Sequence, residues 1–260
     1  MFLEQIDRYW RVLATGLSFA IFGIGGLLLR VAIFPLINLL FREQHQRTRV
    51  ARNIIRLAFR AFIEFMRVMG VLRYELKGLE RLDRNGLLIV ANHPTLLDTV
   101  FLMAFVKQAD CIVKSGLWNN PFTHGPVRAA GYINNENGPG LVDDCIATLV
   151  SGNNLIIFPE GTRSPRNSLH TFKRGVSNIA VRGLRNLTPV VIRCTPSTLG
   201  KGDKWWQVPA RRMQFSIDIR EDIAVESVVS ACDSETLAAR RLTDYLQNYF
   251  AEDNKRHAIA

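Results

Sequence analysis

The sequence has few cysteines, and none of them stands close to another. They are Cys111, Cys145, Cys194 and Cys232. The Cys-x-x-Cys spacing of a zinc site or a dithiol redox centre is therefore absent, and we expect reduced thiols in a cytosolic catalytic part, with no metal. A secretory cleavage site is also lacking, because no suitable run of small residues follows the N-terminal apolar segment.

The sequence also lacks a Gly-x-Ser-x-Gly elbow, the strand-turn-helix motif that presents a nucleophilic serine. A serine acyl-enzyme therefore has no obvious host. No internal repeat and no long disordered tract is present. The 260 residues, 48% of them hydrophobic, suffice for one large domain or for one domain with an appendage.

Basic charge is concentrated in the N-terminal part of the chain. Residues 1–73 hold eleven of the 33 Lys and Arg but only four of the 23 Asp and Glu, an excess of seven within a net charge of +10. Because these charges flank an apolar run, we expect contact with an anionic membrane surface and no binding of nucleic acid.

The apolar run covers residues 12–29, which are 18 residues without a charge and meet the lower limit for a membrane span. Arg30 interrupts the run, and Pro35 predicts a kink in its apolar continuation. One interpretation is a single, somewhat long span. Another is a helical hairpin or re-entrant pair in one leaflet, turning near Gly23, Gly25 and Gly26. A third is a core helix of a soluble domain.

Residues 44–69 show a helical, amphipathic pattern. The arginines that form its cationic side are Arg49, Arg52, Arg56, Arg60 and Arg67, and its apolar side consists of Val50, Ile54, Leu57, Ala58, Ala61, Phe62, Phe65 and Met69. Such a helix suits a membrane interface with its cations at the headgroups, or a surface packed on the catalytic domain. The arginines after the apolar run, beginning at Arg42, predict a cytoplasmic location for this flank.

Strand and helix patterns alternate from about Leu72 onward. The alternation predicts an α/β domain with a largely parallel central sheet flanked by helices, following an N-terminal membrane-associated helical segment. We therefore divide the chain into residues 1–71 and 72–260. Predicted strands are 74–79, 87–91, 111–113, 155–158, 189–194 and 213–219. Predicted helices are 96–106, 141–150, 175–182 and 237–250, the last capped by Asp233 or Ser234.

The stretch from Asn92 to Asp98 leaves the end of a predicted buried strand and enters a helix. His93 then lies at the carboxyl end of the strand, where open α/β sheets usually place their chemistry. Asp98 lies in the first turns of the helix and can fold back toward the imidazole. A carboxylate on one ring nitrogen leaves the other as a proton acceptor, so the pair predicts a general base. A simple capping or surface pair is the competing interpretation.

A second stretch, Phe158-Pro159-Glu160-Gly161-Thr162-Arg163-Ser164, also follows a buried strand. It supplies a carboxylate, a flexible glycine, hydroxyls and an arginine suited to phosphate. Lys173 and Arg174 add charge where a helix begins. Taken alone, the stretch is equally compatible with a plain β-turn held by a salt bridge.

Together the two stretches resemble the glycerolipid acyltransferases, the 1-acyl-sn-glycerol-3-phosphate acyltransferase family. The first matches the family's His-x4-Asp motif and the second its Phe-Pro-Glu-Gly-Thr-Arg-Ser motif. The resemblance covers roughly residues 72–220, with weaker matches around 114–133 and 188–192. It implies a membrane enzyme of phospholipid biosynthesis whose catalytic domain faces the cytoplasm.

The resemblance also implies a mechanism. His93, oriented by Asp98, activates an acceptor hydroxyl that attacks an acyl thioester directly. Arg163 with Glu160, Gly161 and Thr162 binds or positions the acceptor phosphate, and we include Asn92, Lys173 and Arg174 among the substrate-binding residues. The donor is acyl-CoA or acyl carrier protein, the acceptor is a lysophospholipid or related membrane lipid, and no cofactor is required.

One departure from the family pattern concerns the acceptor. Members that act on glycerol phosphates usually carry an arginine shortly after the Gly-x-Ile/Phe-Ile segment, whereas here Gly131-Tyr132-Ile133 is followed by Asn134 and Asn135. We therefore expect lysophosphatidate not to be the best acceptor. A thioesterase, with water as acceptor, and a catalytically silent lipid-binding protein of the same fold are the competing functions.

Overall fold

The computed structural model describes residues 2–118, 124–163 and 171–258. Within these residues seven strands form one sheet in the order β1-β7-β6-β2-β5-β3-β4. The strands are β1 (Leu72–Lys77), β2 (Leu88–Ala91), β3 (Ala109–Val113), β4 (Ile133–Asn134), β5 (Asn154–Ile157), β6 (Leu187–Thr195) and β7 (Met213–Ile219).

Strand direction brings the two sequence motifs together. β6, β2, β5, β3 and β4 run parallel, whereas β7 is antiparallel to β6 and carries β1 with it in the reverse direction. β2 lies directly beside β5, with Leu88 opposite Leu155 and Val90 opposite Ile157. The residues that follow the two strands, beginning at Asn92 and Phe158, therefore emerge side by side at one edge of the sheet.

Helices cover both faces of the sheet. They are α1 (Phe2–Leu28), α2 (Phe34–Leu40), α3 (Gln44–Val68), α4 (Asp98–Phe105), α5 (Ser115–Trp118), α6 (His124–Ala129), α7 (Leu141–Val150), α8 (Gly175–Arg182), α9 (Val225–Val229) and α10 (Glu235–Ala258). α3 and α4 contribute Met66 and Phe101 to the core on one face. α7, α8 and α10 pack on the other through residues such as Leu149, Ile179 and Leu246. The predicted α/β class with a largely parallel sheet is confirmed.

Several predicted elements have the bounds that the sequence indicated. α7, α8 and β7 begin and end at the predicted residues. Ser234, one of the two predicted caps, precedes α10, and its Oγ accepts a hydrogen bond of 3.3 Å from the Leu237 N–H. This contact satisfies a backbone donor that the first turn of a helix leaves without an intrahelical partner.

The N-terminal segment is one continuous, distorted helix rather than a hairpin. α1 passes through Gly23, Gly25 and Gly26 without turning, so of the three interpretations the hairpin that turns at these glycines is not the one observed. A single π-helical turn, Leu29–Ile33, instead joins α1 to α2 just before Pro35. The π-helical turn accommodates Pro35, because a proline has no N–H and disrupts the regular hydrogen bonds of the preceding helical turn. Helix Gln5–Leu40 is long and apolar enough to cross a membrane.

α3 has the predicted extent, but its two faces are assigned differently by the structure. Its fully buried positions include Ile55, Ile63 and Met66, whereas Leu57 is 56% exposed. Arg52, predicted on the cationic side, is buried and pairs with Asp110 at 2.7 Å. The correction arises because α3 packs against the α/β region, and the face of α3 that meets this region is rotated from the one that composition suggested.

α1 lies lengthwise along α3. Trp10 Nε1 donates to the Met69 carbonyl at 3.0 Å, beyond the C-terminal end of α3, and the Phe22 ring packs on Phe59 and Phe62 further back. The hydrophobic core shared with the sheet includes Phe34 and other residues of this N-terminal region. The division of the chain at residues 71 and 72 remains a prediction.

Candidate active site

The corner after β2 is fixed by Asn92. Its Nδ2 donates to the Ile192 carbonyl at 2.8 Å, and its Oδ1 accepts from the Ile192 N–H at 2.7 Å. The side chain thus continues the β2–β6 ladder by one position after the β2 backbone has turned away. Asn92 was predicted to bind substrate. In the structure its amide holds the residue before His93 against the sheet, and a role in substrate binding stays a prediction.

His93 and Asp98 meet as the spacing predicted. Asp98 is the first residue of α4, and its Oδ2 lies 2.9 Å from His93 Nδ1. Thr95 closes the corner between them, because its N–H donates to Asp98 Oδ2 and its hydroxyl to Asp98 Oδ1, both at 2.6 Å. The Leu97 N–H donates to the Thr95 hydroxyl at 3.2 Å, which leaves the hydroxyl proton for Asp98.

These donors decide the charge state that the corner favours. Asp98 is completely buried, and burial raises the pKa of its carboxyl, while the hydrogen bonds from His93 and Thr95 oppose that rise. A carboxyl that receives bonds from a backbone N–H, a hydroxyl and a ring N–H accepts at every contact, which suits the ionised form. The Nδ1–H tautomer of His93 then presents Nε2 as a base.

The His93 imidazole is held in place by stacking and remains partly exposed to solvent. The Phe158 ring stacks on it with centroids 4.2 Å apart and an interplanar angle of 21°. The His93 side chain remains 15% exposed, whereas Asp98 is 0% exposed. One nitrogen is therefore committed to a buried carboxylate, while part of the ring can reach a substrate.

Glu160 supports His93 through the backbone. Its Oε1 accepts a hydrogen bond of 3.2 Å from the His93 N–H, and the side chain is only 8% exposed. Gly161 follows in a left-handed conformation with φ of +66°. A Cβ there would come within 3.0 Å of Lys173 Cε and Nζ, so the glycine allows this lysine to lie across the turn.

Arg163 crosses to the loop after β6. Its Nη1 donates to the carbonyls of Leu199 and Gly200 at 3.1 and 2.8 Å, and Leu199 also accepts from the Leu96 N–H. The loop thereby connects the two predicted motifs. Thr162 is exposed. Ser164 and Pro121, which the sequence comparison also included, lie outside the described residues.

The remaining predicted cations line the start of α8. Lys173 is exposed, and its N–H donates to the Pro159 carbonyl at 2.8 Å, which fixes its backbone beside the turn. Arg174 is exposed and precedes α8, where its carbonyl accepts from the Asn178 N–H. The turn after β5 thus has Arg163 and Lys173 close by, and Arg174 continues the basic surface.

Asn134 and Asn135 lie at the end of β4, two strands beyond β5 on the same side of the sheet. The Asn135 N–H donates to the Val113 carbonyl at 3.1 Å, and Asn134 Oδ1 accepts from the Glu136 N–H. Local turn contacts therefore explain these residues, and they place neutral amides at this end of the sheet.

Two contributors to the site were missed as such by sequence reasoning. Thr95 binds both oxygens of Asp98, and Phe158 stacks on His93. A threonine three residues before an aspartate, ahead of an apolar run, is the capping-box pattern, and this signal in the sequence identifies Thr95. The partner of the Phe158 ring depends on the order of β2 and β5, which no local pattern reveals.

Comparison with known proteins supports the resemblance that the two motifs indicated. A family model described as Acyltransferase matches residues 73–193. These residues contain the parallel strands and both motifs. Residues 73–193 therefore match the acyltransferase family, in agreement with the resemblance that the two motifs indicated.

Two curated relatives show what this region is similar to. A 1-acyl-sn-glycerol-3-phosphate acyltransferase of Pseudomonas aeruginosa is 29% identical over 133 residues, which cover 48% of this chain and 51% of that protein. The enzyme of the same name from Helicobacter pylori is 32% identical over 147 residues, covering 54% and 61%. The match thus spans about half to three fifths of the length of these curated relatives.

A solved structure shares the whole fold. The crystal structure of the 1-acyl-sn-glycerophosphate (LPA) acyltransferase PlsC from Thermotoga maritima superposes with a TM-score of 0.68 and covers 96% of this chain and 98% of that one. Sequence identity is 21%, so the likeness concerns the fold. It includes the N-terminal helical region as well as the sheet.

Proposed function

We propose that this protein transfers a fatty acyl group from a thioester to a hydroxyl of a lysophospholipid, with His93 as the general base. The observation that carries the proposal is the 2.9 Å contact between His93 Nδ1 and a completely buried Asp98. The names of the relatives support 1-acylglycerol 3-phosphate as the first acceptor to test.

In the proposed reaction, His93 Nε2 takes the proton of the acceptor hydroxyl as its oxygen attacks the thioester carbonyl carbon. The tetrahedral intermediate collapses, the carbon–sulfur bond breaks, and the thiolate leaves with the proton returned by the imidazolium. Asp98 keeps the ring in the Nδ1–H tautomer and stabilises its transient positive charge. The donor is acyl-CoA or acyl carrier protein, and no further cofactor enters the reaction.

Direct attack agrees with the state of three of the cysteine thiols. Burial raises the pKa of Cys194 to about 12 and that of Cys145 to about 12. Burial also raises the pKa of Cys111 far above its usual range. Since the thiolate is the nucleophile, these cysteines are poor candidates for an acyl-enzyme.

Arg163 and Lys173 are the proposed partners of an acceptor phosphate. Both lie at the turn that also holds Glu160 against His93. Binding the phosphate there would bring the acceptor hydroxyl toward the imidazole, which is the positioning effect that a reaction with a good leaving group most needs. Thr162 and Arg174 would extend the contact.

The membrane association that we propose uses the outward face of α1, the π-helical turn and α2. Ile24 and Val31 are each 67% exposed and Leu39 is 80% exposed, while the opposite face packs on α3. Lipid would cover the exposed side, and the basic flank would place the catalytic domain at the cytoplasmic surface. Washing membranes with high salt should leave the protein bound, since apolar burial is not screened. Release by salt alone would contradict this anchor.

A product assay separates acyl transfer from the competing functions. Purified full-length protein is given one radiolabelled acyl thioester with a panel of acceptors that includes lysophosphatidate, lysophosphodiesters and uncharged monoacylglycerol. Acylated lipid as the main product supports the proposal. Free fatty acid regardless of acceptor would indicate a thioesterase, and binding without turnover a silent lipid-binding protein.

The same panel tests the acceptor preference. If the neutral Asn135 weakens recognition of a phosphate monoester, a phosphodiester or uncharged acceptor should show a higher kcat/KM than lysophosphatidate. Asn135→Arg should then shift the preference toward the monoester. A kcat/KM that is highest for lysophosphatidate in the unaltered protein would contradict this preference but not acyl transfer.

A further inference from the structure

A cavity of about 520 Å³ lies where the N-terminal helix meets α3 and α6. Its cationic lining comes from three separate elements, with Arg30 in the π-helical turn, Arg47 in α3 and Arg128 in α6. His124 joins them, and among the described lining residues there is no aspartate or glutamate. Like charges gathered around a concave surface favour an anionic occupant.

This cavity is remote from His93. Thr48 lines it, and a Cβ at Gly131 would lie 3.4 Å from Thr48 Cγ2. Gly131 precedes β4, so the cavity lies toward the amino-terminal edge of the parallel strands. His93 follows the carboxyl end of β2. The two sites therefore lie toward opposite edges of the sheet.

The cavity walls are in close contact and carry a polar group that lacks a partner. A Cβ at Gly125 would come within 2.7 Å of Arg30 Cγ, so α6 approaches the π-helical turn at a glycine. Arg47 Nε is buried and has no hydrogen-bond partner among the described residues. The guanidinium of Arg128 lies 5.8 Å from the Trp118 ring centroid. A phosphate would supply the acceptor oxygens that Arg47 Nε lacks.

We propose that this cavity binds the phosphate group of an anionic membrane phospholipid. Arginine forks match phosphate oxygens, and apolar side chains of the same helical segment continue from the cavity onto the exposed surface. Val31, next to Arg30, and Leu36, next to Pro35, are 67% and 50% exposed. A lipid bound by its phosphate would lay its acyl chains along this surface. This site is independent of the acyl-transfer reaction.

Lipid binding to the full-length protein in a nonionic detergent tests the proposal. Dioleoyl phosphatidylglycerol and dioleoyl phosphatidylcholine are titrated separately, and bound lipid is counted by native mass spectrometry. We expect phosphatidylglycerol to bind more tightly. Arg47→Gln and Arg128→Gln should each weaken its binding about tenfold, the scale of one lost charged hydrogen bond.

Arg49→Gln is the matched control. Arg49 lies on the same turn of α3 as Arg47 and carries the same charge, but it lines a different cavity. Its substitution should change phosphatidylglycerol binding less than about twofold, since the long-range potential alone is altered. Thermal melting of each variant confirms folding, and Arg128 is exposed enough that its replacement should not affect the core.

Three outcomes would overturn the proposal. Equal affinity for the two lipids would remove the charge selectivity. Equal losses in Arg49→Gln and Arg128→Gln would reduce the effect to general surface potential. Displacement of phosphatidylglycerol by millimolar inorganic phosphate or by CoA at similar affinity would assign the cavity to a free phosphate or to the acyl donor. Because the readout is binding, failure here leaves the acyl-transfer assay unaffected.

Discussion

Asp98 and Asp110 are buried carboxylates at different ends of the parallel strands, and their surroundings are closely alike. Each accepts a bond from a backbone N–H and one from a threonine hydroxyl, Thr95 for Asp98 and Thr148 for Asp110. Burial raises the pKa of both carboxyls. Each also meets a nitrogenous side chain within 3 Å, namely His93 for Asp98 and Arg52 for Asp110.

The two carboxylates differ in the side chain that donates to them from a nitrogen atom, which is His93 for Asp98 and Arg52 for Asp110. Arg52 is a permanent cation whose side chain is 4% exposed, and its Nε also donates to the Ala130 carbonyl at 2.8 Å. His93 can release or take a proton and is 15% exposed. A buried carboxylate therefore indicates chemistry only when its partner can titrate and can be reached; otherwise it indicates a structural ion pair.

The largest expected effect is on His93. His93→Ala should lower the rate of acyl transfer at least about a hundredfold, the scale of losing a general base, while the protein remains folded. Steady-state kinetics and a melting curve of the same preparation measure both. A folded variant with nearly full activity would place His93 in the same structural class as Arg52 and reject the mechanism.

Arg52→Leu is the opposite case. Removing the cation leaves Asp110 buried without its ion-pair partner, which should cost about 3–5 kcal/mol of unfolding free energy. The loss should grow with pH, because an unpaired buried carboxyl has a raised pKa and is harmless only while protonated. Urea unfolding at pH 5 and pH 8 measures it. A variant as stable as the wild type at pH 8 would show that this ion pair contributes nothing.

Arg163 shares features with both the proposed general base His93 and the structural residue Arg52. It donates to backbone carbonyls as Arg52 does, but it lies beside the proposed reaction site. Arg163→Ala should lower kcat/KM for a phosphate-bearing acceptor by about ten- to a hundredfold, as expected for a lost charged hydrogen bond of 1.5–3 kcal/mol. Arg163→Lys should lose less. If both variants keep full kcat/KM and only their stability falls, Arg163 belongs with Arg52.

The smallest expected effects come from replacing Thr95 and Thr148, which form the most closely matched pair of substitutions. Thr95→Val removes one donor to Asp98 and should slow acyl transfer about tenfold, while Thr148→Val removes one donor to Asp110 and should leave the rate unchanged. Both should lose about 1 kcal/mol of stability or somewhat more. Equal rates in the two variants would show that the orientation of Asp98 does not depend on Thr95.

The local sequence pattern was sufficient to predict several elements of the α/β region and one contact of the candidate site. α7 and α8 follow the predicted bounds because helical periodicity and flanking glycines define them, and β7 does so because its residues alternate between apolar and polar. The meeting of His93 and Asp98 was also predictable, since both lie within one strand-to-helix corner. The antiparallel direction of β7 was not predictable, because alternation identifies a strand but does not show which strand it pairs with or in which direction.

In the N-terminal region the sequence pattern failed to predict which residues are buried and whether the chain turns. Arg52 shares the spacing of exposed arginines, and only the approach of β3 with Asp110 makes it a core residue. Gly23, Gly25 and Gly26 suggested a turn, yet a Cβ on any of them would meet nothing within 4 Å. Apolar helices tolerate such glycines, so their presence alone does not locate a turn.

The loop after β6 connects the N-terminal helix to the catalytic corner. Arg11 donates to the carbonyls of Pro209 and Ala210 in the chain that follows, and Gly16 contacts Trp205. Leu199, at the other end, receives Arg163.

Shortening the chain to begin after residue 40, as one would to obtain a soluble form, would therefore remove more than the proposed membrane attachment. It would strip the aromatic cover from Phe59 and Phe62 and release one end of the segment that Arg163 grips at the other. Solubilisation by detergent with the helix kept, rather than by truncation, is the preparation that preserves the catalytic corner.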